Sequence, residues 1–314
     1  MTASAMPAAT TGEASDTFDC FGSLCGAWVA GDTPARTTRE AVETVRRVLL
    51  RWHREFSRFE PDSQLCALNR DPRATVPVAS LMARFAAAAI DAAQLTQGLV
   101  DATLLGDIER AGYTAHHEHA LSVPLEHALA LSPVRAPARA HPERRWETIS
   151  VSLEGVPSVT RPPGVKLDSG GIAKGLFADV LGDLLGSHAS YAVDCGGDLR
   201  LGGAAGSARP VHVTSPFDGE ILHRFELAEG GVATSGIGRR SWLGADGRVA
   251  HHLLDPSTGR PVYSGVVQVT ALAPSAIEAE VRAKAALLSG PDPARGWLAH
   301  GGVIVFDDAH YDVI

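Results

Sequence analysis

The sequence contains no long hydrophobic run. No stretch of its 314 residues approaches about 18 consecutive apolar residues, so it predicts no membrane-spanning helix. Residues 1–15 are small and polar, without a basic start or an apolar stretch of about 7 to 15 residues, and they predict a flexible tail rather than a signal peptide. These features together favour a cytoplasmic protein.

Positive charge and cysteine are also scarce. The 28 Lys and Arg are outnumbered by 36 Asp and Glu, which gives a formal net charge of −8 and a pI near 5.9. A broad nucleic-acid or anionic-membrane surface needs clustered basic residues, so an anionic ligand must instead be met locally. The four cysteines lack metal-ligand spacing and are predicted to be thiols that pack as small apolar side chains. They are Cys20, Cys25, Cys66 and Cys195.

The composition is that of a large globular core. With 45% hydrophobic and 20% charged residues, the chain is long enough for one large domain or two intimately packed lobes. Residues 114–147 carry five histidines and four prolines without sustained periodicity, which is typical of a connector. The predicted organisation is a tail at 1–15, an N-terminal α/β lobe at 16–113, this connector, and a C-terminal α/β lobe at 148–314.

Hydrophobic periodicity predicts mixed α and β structure. The predicted helices are 40–56, a helix capped by Ser80 that ends at Gly98, 173–185, and a last helix that runs from a capping box at 275–278 to before Gly290. The helix at 173–185 is expected to bury Phe177, Val180, Leu181, Leu184 and Leu185. The predicted strands are an opening strand at 18–29, then 191–195, 211–214, 266–272 and a final strand at 303–306.

Two turns rich in glycine and acidic residues stand out. Residues 167–175, Leu-Asp-Ser-Gly-Gly-Ile-Ala-Lys-Gly, predict the end of a strand that runs through two glycines into a helix, with Asp168 and Lys174 on either side. Such a turn lets the backbone approach a phosphate closely, and the helix N-terminus adds partial positive charge. A second turn, Asp194-Cys-Gly-Gly-Asp198, follows twenty residues later. The pair indicates a site that could hold a nucleotide.

Other motifs are ambiguous when each is taken alone. Residues 252–261, His-Leu-Leu-Asp-Pro-Ser-Thr-Gly-Arg-Pro, are typical of an ordinary turn that begins with a histidine. The hydroxyls of 233–236, Ala-Thr-Ser-Gly, could bind phosphate oxygens but more often bind local backbone. Asp168 alone is a typical cap, and Lys174 alone a typical solvated helix residue. For the connector histidines a solvated loop is favoured over a metal site. Those histidines include His116, His117 and His119.

The order of the motifs is more specific than any one of them. The matching segments, in chain order, are 18–23, 56–69, 96–103, 112–113, 168–175, 196–198, 234–236 and 252–261. Phe-Ser-Arg-Phe with Asp62-Ser-Gln-Leu, and Thr96-x-Gly with Asp101-Ala-Thr, are two of these matches. This series, spanning about residues 16 to 306, resembles the ApbE family of FAD:protein FMN transferases. The resemblance implies an α+β fold, an ApbE-like mixed fold of two intimately packed α/β lobes with the FAD cleft between them.

The resemblance also implies a chemistry. Members of this family bind FAD, split its pyrophosphate, attach FMN to a Thr or Ser hydroxyl of an acceptor protein and release AMP. By the resemblance, His252, Lys284 and Asp198 are candidate catalytic residues, with His252 suited to acid–base or phosphate-orienting work. The acceptor of the hydroxyl proton stays open among His252, Asp198 and Asp255. The residues implied to contact FAD are Phe21, Phe59, Asp101, Ala102, Thr103, Asp168, Gly170, Lys174, Thr234, Ser235 and His252.

The sequence departs from the family at the metal site. The resemblance implies Mg²⁺, held by the main-chain carbonyl of Gly171 and by an Asp and a Thr of the late helix, where this chain has Glu280 and Lys284. A charged ammonium has no lone pair to offer a metal. Glu280 and Lys284 lie four residues apart in the favourable order, so the hypothesis is that the ammonium takes the place of the metal and faces the pyrophosphate. The alternative is that both are ordinary surface residues of a helix.

Two functions follow from these observations. The favoured one is an FMN transferase whose partners are FAD and an acceptor protein with an Asp-x-x-Ser/Thr-Gly-type motif, without nucleic acid or a membrane span. The alternative is a FAD-binding, catalytically impaired relative with Lys284 in the place of the metal. Lys174, His252 and 234–236 persist, whereas decay usually erodes a site more widely. In the turn at 255–261, Arg260 and Pro261 break the acceptor pattern, which argues against self-flavinylation at Thr258.

Overall fold

The protein is built around antiparallel strands and the helices that pack on them. The structure, a computed structural model, describes residues 12–114, 123–132, 135–244 and 248–314. Within these residues the strands are β1 (Glu13–Cys20), β2 (Ser23–Ala30), β3 (Thr75–Pro77), β4 (Ser150–Ser152), β5 (Ser158–Thr160), β6 (Ser190–Asp194), β7 (Asp198–Gly202), β8 (Arg209–Thr214), β9 (Ile221–Leu227), β10 (Gly230–Gly236), β11 (Ser241–Leu243), β12 (Val249–His251), β13 (Leu254–Asp255), β14 (Arg260–Pro261), β15 (Val266–Ala273), β16 (Gly302–Phe306) and β17 (Tyr311–Val313). The helices are α1 (Thr38–Phe56), α2 (Gln64–Arg70), α3 (Ser80–Leu95), α4 (Leu105–Arg110), α5 (Leu125–Ala130), α6 (Ala173–Leu185), α7 (Ala276–Ser289) and α8 (Pro291–Ala294), with 3₁₀ turns at Arg145–Thr148 and Arg295–Trp297.

One large sheet organises these elements. Its strand order is β1-β2-β6-β7-β10-β15-β16-β17, and every neighbouring pair is antiparallel. Helices α1, α6 and α7 pack against it, α1 on β1 and β2, and α7 on β10 and β15. The hairpin of β8 and β9 contributes Val211 and Phe225 to an apolar cluster with side chains of β2, β6, β7 and β10. These observations confirm the mixed α+β class.

Amphipathic helices form where the sequence predicts them. Helix α1 begins after a complete capping box between Thr37 and Glu40, and its apolar stripe, which runs from Val42 to Phe56, is buried. Helix α7 begins after Ser275, whose hydroxyl accepts from the amide of Glu278. The bounds of α6 are those predicted.

Four details of the sequence-based prediction are wrong. The opening strand is a hairpin, because Phe21 and Gly22 both adopt positive φ (54° and 65°) and reverse the chain. Ser80 is the first helical residue rather than the cap of α3. Leu184 of α6 is 51% exposed, since it lies on the solvent face. The helix predicted as the last one is followed by the short α8, and the strand predicted as the final one is followed by β17.

The two-glycine turn also differs from its prediction, since residues 165–168, which lead directly into it, do not form a strand. Leu167 is instead fixed by a pair of hydrogen bonds with the side-chain amide of Asn69, both 2.8 Å long. The amide of Asp168 then donates to the carbonyl of Ala102 (2.8 Å). Side-chain and loop contacts therefore replace a sheet ladder in placing this turn.

Strand β1 already begins at Glu13, so the prediction of a flexible tail is wrong for residues 13–15, which pair with β2. The large sheet takes β1 and β2 from the N-terminal part of the chain and its other six strands from 148–314. The division into lobes at 114–147 stays a prediction. Of that connector, 115–122 and 133–134 lie outside the described residues, and His116, His117 and His119 with them. Among the helices that the structure describes, none is both long and apolar enough to cross a membrane.

Candidate functional site

Two adjoining cavities lie at the end of the sheet where β1 turns into β2 and β6 into β7. The first, here called the apolar chamber, is lined mainly by aromatic and aliphatic side chains, among them Phe21, Phe56, Phe59, Val100, Ile108, Tyr113, Leu253 and Leu254. The second, here called the polar chamber, is lined largely by small and polar residues, among them Ser23, Gly196, Gly197, Asp198, Ser215, Thr234, Ser235, Gln268 and Glu280. Apolar and polar parts of one extended ligand could be held by the two chambers together.

A shared wall of five residues lines both chambers. It consists of Gly170, Lys174, Arg240, His252 and Lys284. Three of the five are cations, although they come from α6, α7 and the segment between β10 and β11. The Arg240 guanidinium donates to the carbonyl of Phe21 (3.1 Å), which ties it to the β1–β2 turn. The shared wall therefore brings three cationic side chains from distant parts of the chain to one place.

Lys284 occupies a defined place in this wall. Its Nζ donates to the carbonyl oxygen of Gly171 (2.7 Å) and to Oε1 of Glu280 (3.3 Å). The side chains of Lys284 and Glu280 are 13% and 2% exposed, so neither is a surface residue of the helix. The other carboxylate oxygen of Glu280 accepts from the amide of Gly175 at the start of α6 (2.9 Å). Glu280 is thus held from two sides.

The groups at this position do not suit a bound Mg²⁺. The ion requires about six oxygen ligands at roughly 2.0–2.1 Å in octahedral geometry. Here the carbonyl of Gly171 and the carboxylate of Glu280 already accept hydrogen bonds from an ammonium that has no lone pair. Within the described residues, no group of three or more His, Cys, Asp or Glu side chains could hold a metal. The positions at which the resemblance implies a metal therefore hold the Lys284 ammonium.

Lys174 forms a second buried ion pair, with Asp198 of the polar chamber. Burial pulls the pKa of Lys174 down, but the carboxylates of Asp198 and Glu280 outweigh it and raise that pKa overall. Burial raises the pKa of Asp198 to about 6, because the nearby Glu280 carboxylate adds to desolvation and Lys174 only partly offsets both. Asp198 is only 1% exposed, so desolvation disfavours its charged form. The two ammonium groups of the shared wall, those of Lys174 and Lys284, thus lie against two carboxylates, those of Asp198 and Glu280.

His252 is a neutral member of the wall. Burial lowers its pKa well below the usual value, and the positive charges of Arg240, Lys284 and Lys174 lower it further. Its Nδ1 atom is buried and makes no hydrogen bond to any described residue. A neutral imidazole with a spare ring nitrogen can donate to, or accept from, one ligand atom.

The backbone of the two-glycine turn is already hydrogen-bonded. The amide of Gly170 donates to Oδ2 of Asp168 (3.1 Å), and the amides of Ile172 and Ala173 bond to the carbonyl of Ser169. The turn therefore presents the Lys174 ammonium, more than free amides, to the chambers.

Most of the sequence-predicted site residues come together here. Phe21, Phe59, Asp101, Ala102, Asp168 and Gly171 line the apolar chamber, Thr234, Ser235, Asp198 and Glu280 line the polar one, and Gly170, Lys174, His252 and Lys284 line both. Thr103 lines neither chamber, because its hydroxyl and amide bind Oδ1 of Asp101 (2.7 and 2.8 Å). Asp255 also lies outside both chambers, and its carboxylate accepts from Ser257 and Thr258 in the β13–β14 turn.

Known proteins match this chain along most of its length. The sequence model of the ApbE family matches residues 22–306. The chain belongs to the ApbE family. The ApbE protein of Thermotoga maritima has a similar structure, with a TM-score of 0.77 and 25% identity over 96% of both chains. The flavinyl transferase ApbE of Pseudomonas stutzeri shares the fold, with a TM-score of 0.73 and 22% identity over 96% of this chain and 94% of that one.

Curated ApbE relatives carry the name FAD:protein FMN transferase. The Escherichia coli K12 protein is 31% identical over 150 residues, which are 46% of this chain and 42% of that protein. The Treponema pallidum protein is 28% identical over 303 residues, 86% of this chain and 77% of that one. The match to the Escherichia coli relative thus spans less than half of its length.

Three residues of this ApbE site were missed by sequence reasoning. Arg58, Tyr113 and Arg240 line the apolar chamber, and Arg240 belongs to the shared wall as well. Arg58 lies within the matched Ser-x-Phe segment, and Tyr113 within the matched Gly-Tyr pair. The family resemblance could therefore have pointed to both. Arg240 follows 234–236 without any motif of its own.

Proposed function

We propose that this protein transfers FMN from FAD to a Thr or Ser hydroxyl of an acceptor protein and releases AMP. The observation that carries the proposal is the shared wall, which sets Lys174, Arg240 and Lys284 between an aromatic chamber and a polar one. A pyrophosphate needs local cations, and a heteroaromatic ring needs apolar and stacking surface. FAD contains both groups.

In the proposed reaction the acceptor hydroxyl oxygen attacks the phosphorus of the FMN half. The bond from that phosphorus to the bridging pyrophosphate oxygen breaks, AMP leaves, and the hydroxyl proton passes to the protein. Catalysis of such a transfer consists largely of positioning and of neutralising the charge on the phosphoryl oxygens. Lys174, Arg240 and Lys284 supply that neutralisation.

We assign the proton to Asp198, which lines the polar chamber where the acceptor hydroxyl would enter. With its pKa at about 6, it is mostly ionised at neutral pH yet basic enough to take a proton. His252, held neutral, is assigned to orient a phosphoryl oxygen through a ring N–H. Phe21 and Phe59 are assigned to the ring-binding surface, with Asp101 and Ala102 beside them.

The proposed transfer proceeds without Mg²⁺. Lys284 supplies a fixed positive charge at the family's metal position, because its ammonium binds the carbonyl and the carboxylate that would serve as ligands. A monovalent point charge neutralises phosphate oxygens without orienting them as a metal does, so Arg240 and Lys174 share that work.

The acceptor is proposed to carry an Asp-x-x-Ser/Thr-Gly-type motif, and the proposed location is the cytoplasm. All four cysteines, each within the described residues, are free thiols, which is compatible with a reducing compartment.

A transfer assay tests the proposal. The purified chain is mixed with FAD and an acceptor domain carrying the motif, in EDTA and separately in Mg²⁺. We expect AMP in solution and an FMN-sized mass increase on the acceptor, in EDTA as well as in Mg²⁺. The control is the same acceptor with its motif Thr replaced by Ala, which should gain no mass. Tight FAD binding with neither product would instead identify a FAD-binding protein without transferase activity.

A further inference from the structure

Arg58 is a buried cation in the corner between two aromatic rings. Its guanidinium carbon lies 4.4 Å from the ring centre of Phe59 and 4.5 Å from that of Tyr113, and these two rings meet edge to face. Tyr113 stacks in turn on Trp242, with ring centres 5.2 Å apart. Only 8% of the Arg58 side chain is exposed. The corner therefore fixes a flat, positively charged group at the apolar chamber, which Arg58 lines.

The backbone around Arg58 is also held. The amide of Phe59 donates to the hydroxyl of Ser57 (3.2 Å), and the Cys66 thiol donates to the carbonyl of Arg58 (3.4 Å). These contacts follow directly after the end of α1. The position of the guanidinium is therefore defined by the fold as well as by the rings.

The hydrogen-bonding capacity of Arg58 is not used up. Its Nε lies 3.5 Å from Oδ1 of Asp168, an ion pair inside the site. Its Nη2 is sealed from solvent and has no hydrogen-bond partner among the described residues. A buried donor without an acceptor is unfavourable, and a ligand that supplies an acceptor removes that cost.

We propose that Arg58 selects the heteroaromatic ring bound in the apolar chamber by donating a hydrogen bond from Nη2 to an acceptor atom at the edge of the ring. Arg58 lines the chamber, and the planar fork of its guanidinium fixes the direction of such a bond. This inference rests on the proposed function, because the ring belongs to the dinucleotide. Both the isoalloxazine and the purine offer carbonyl or ring-nitrogen acceptors, and the experiment distinguishes them.

Arg58 could also act on the ligand through charge alone. Without it, the Asp168 carboxylate would lie unpaired in the site and repel phosphates. The test therefore uses neutral halves of FAD, riboflavin and adenosine, beside the charged ligands FMN, AMP and FAD. Riboflavin binding is followed by its fluorescence, and adenosine binding by competition with FAD.

The variants are Arg58→Met, which removes charge and donors, and Arg58→Lys, which keeps the charge but loses the planar fork. We expect Arg58→Met to weaken one neutral half about 10-fold or more and to leave the other within about 2-fold. Arg58→Lys should show the same loss of affinity for that neutral half. Its affinity for the phosphate-bearing ligand of the other half, AMP or FMN, should stay native. Arg51→Met, on exposed α1 surface, is the control and should change none of these affinities.

Several results would overturn the proposal. They are unchanged affinity for both neutral halves, equal loss for both, loss confined to phosphate-bearing ligands, and failure of both halves to bind the native protein that binds FAD. If Arg58→Met does not fold, as judged by its thermal transition, Arg58→Lys alone decides between these results. Native protein that binds no FAD at all would overturn the proposed function itself, which keeps the two failures distinct.

Discussion

The proposed transfer without a divalent ion depends on one residue, Lys284. Its ammonium donates hydrogen bonds to the carbonyl of Gly171 and the carboxylate of Glu280, and these bonds hold the positive charge at the shared wall. Lys284 is one of only three lysines in the chain, and a second, Lys174, stands in the same wall.

The double substitution Lys284→Thr with Glu280→Asp should restore a response to metal. Removing the ammonium frees the Gly171 carbonyl, while Thr and Asp add the hard oxygen ligands that Mg²⁺ prefers. We expect Mg²⁺ to raise the FAD affinity of this variant about tenfold, which is about 1.4 kcal/mol, and to leave the native affinity unchanged. Titration calorimetry with and without Mg²⁺ measures both. Lys166→Thr, at the exposed third lysine, is the matched control. An unchanged metal response in the double variant would contradict the assignment.

The assignment of Asp198 as proton acceptor predicts a pH profile. Its pKa is raised to about 6, so the carboxylate needed as a base is lost as the pH falls through that value. The transfer rate should therefore drop below about pH 6, and Asp198→Asn should lower it about 100-fold at neutral pH and remove this limb. Asp183→Asn, on the exposed face of α6, should keep both rate and limb. The same acidic limb in Asp198→Asn would assign the proton elsewhere.

His251 predicts a second pH effect, on stability. Burial lowers the pKa of this imidazole from 6.5 to about 4, and its Nε2 binds the carbonyl of Val262 (2.8 Å). Between those two pH values the unfolded chain binds the proton and the folded chain does not, so stability falls as the pH is lowered. For one group this amounts to about 3 kcal/mol.

Urea unfolding at pH 7 and pH 4.5 of the native protein and of His251→Gln checks this effect. The native protein should be the more stable one at pH 7, and its advantage should shrink by about 2–3 kcal/mol at pH 4.5. His127→Gln, at an exposed side chain of α5, is the control. An advantage that is equal at both pH values would show that His251 titrates normally.

At the scale of elements, the long helices were predictable and the tight reversals were not. Periodic apolar residues and side-chain caps mark α1 and α7, and both follow the sequence closely. The β1–β2 hairpin was missed because its turn places a Phe at positive φ, where Asn or Gly would have signalled a reversal. The strand expected before 168–175 is absent because Asn69, far away in sequence, holds Leu167 instead.

The contact between α6 and α7 depends on Gly175. A Cβ at this position would lie 2.6 Å from Cα of Ile277 and 2.8 Å from the carbonyl oxygen of Ala276, both backbone atoms that cannot swing aside. We expect Gly175→Ala to destabilise the protein by about 2–3 kcal/mol and to weaken FAD binding, because α7 carries Glu280 and Lys284. Thermal unfolding and FAD titration measure the two effects.

Gly186→Ala is the matched control for that substitution. Gly186 follows the last residue of the same helix in right-handed α conformation, and its Cβ would meet nothing closer than 3.8 Å. Alanine there should be neutral or slightly stabilising. Equal stability of both variants would show that the two helices can separate without cost.

At the scale of the whole molecule, the sheet brings distant charges together. Sequence reasoning reached Lys174 because it lies in the two-glycine turn, and Lys284 because it stands where the resemblance implies a metal ligand. It could not reach Arg240, whose place in the wall comes from its bonds to Phe21 and Ser23, more than 200 residues earlier. Nor could it show that Thr103 serves Asp101 instead of a ligand. The place of Arg240 depends on long-range packing at the end of the sheet, which local spacing does not encode.

Because the wall is contributed by α6, α7 and the β10–β11 segment, FAD that bridges these elements should stabilise the entire fold. At a FAD concentration about 100 times its dissociation constant, the gain is about 2.7 kcal/mol, which for a chain of this size raises Tm by about 4 °C. The rise should be the same in EDTA and in Mg²⁺, since Lys284 already provides the charge. Differential scanning calorimetry measures it, with riboflavin as the control ligand that lacks the pyrophosphate and should give a smaller shift. A rise that requires Mg²⁺ would mean that the ammonium yields its place to the ion when FAD binds, contrary to the anchoring seen at Gly171 and Glu280.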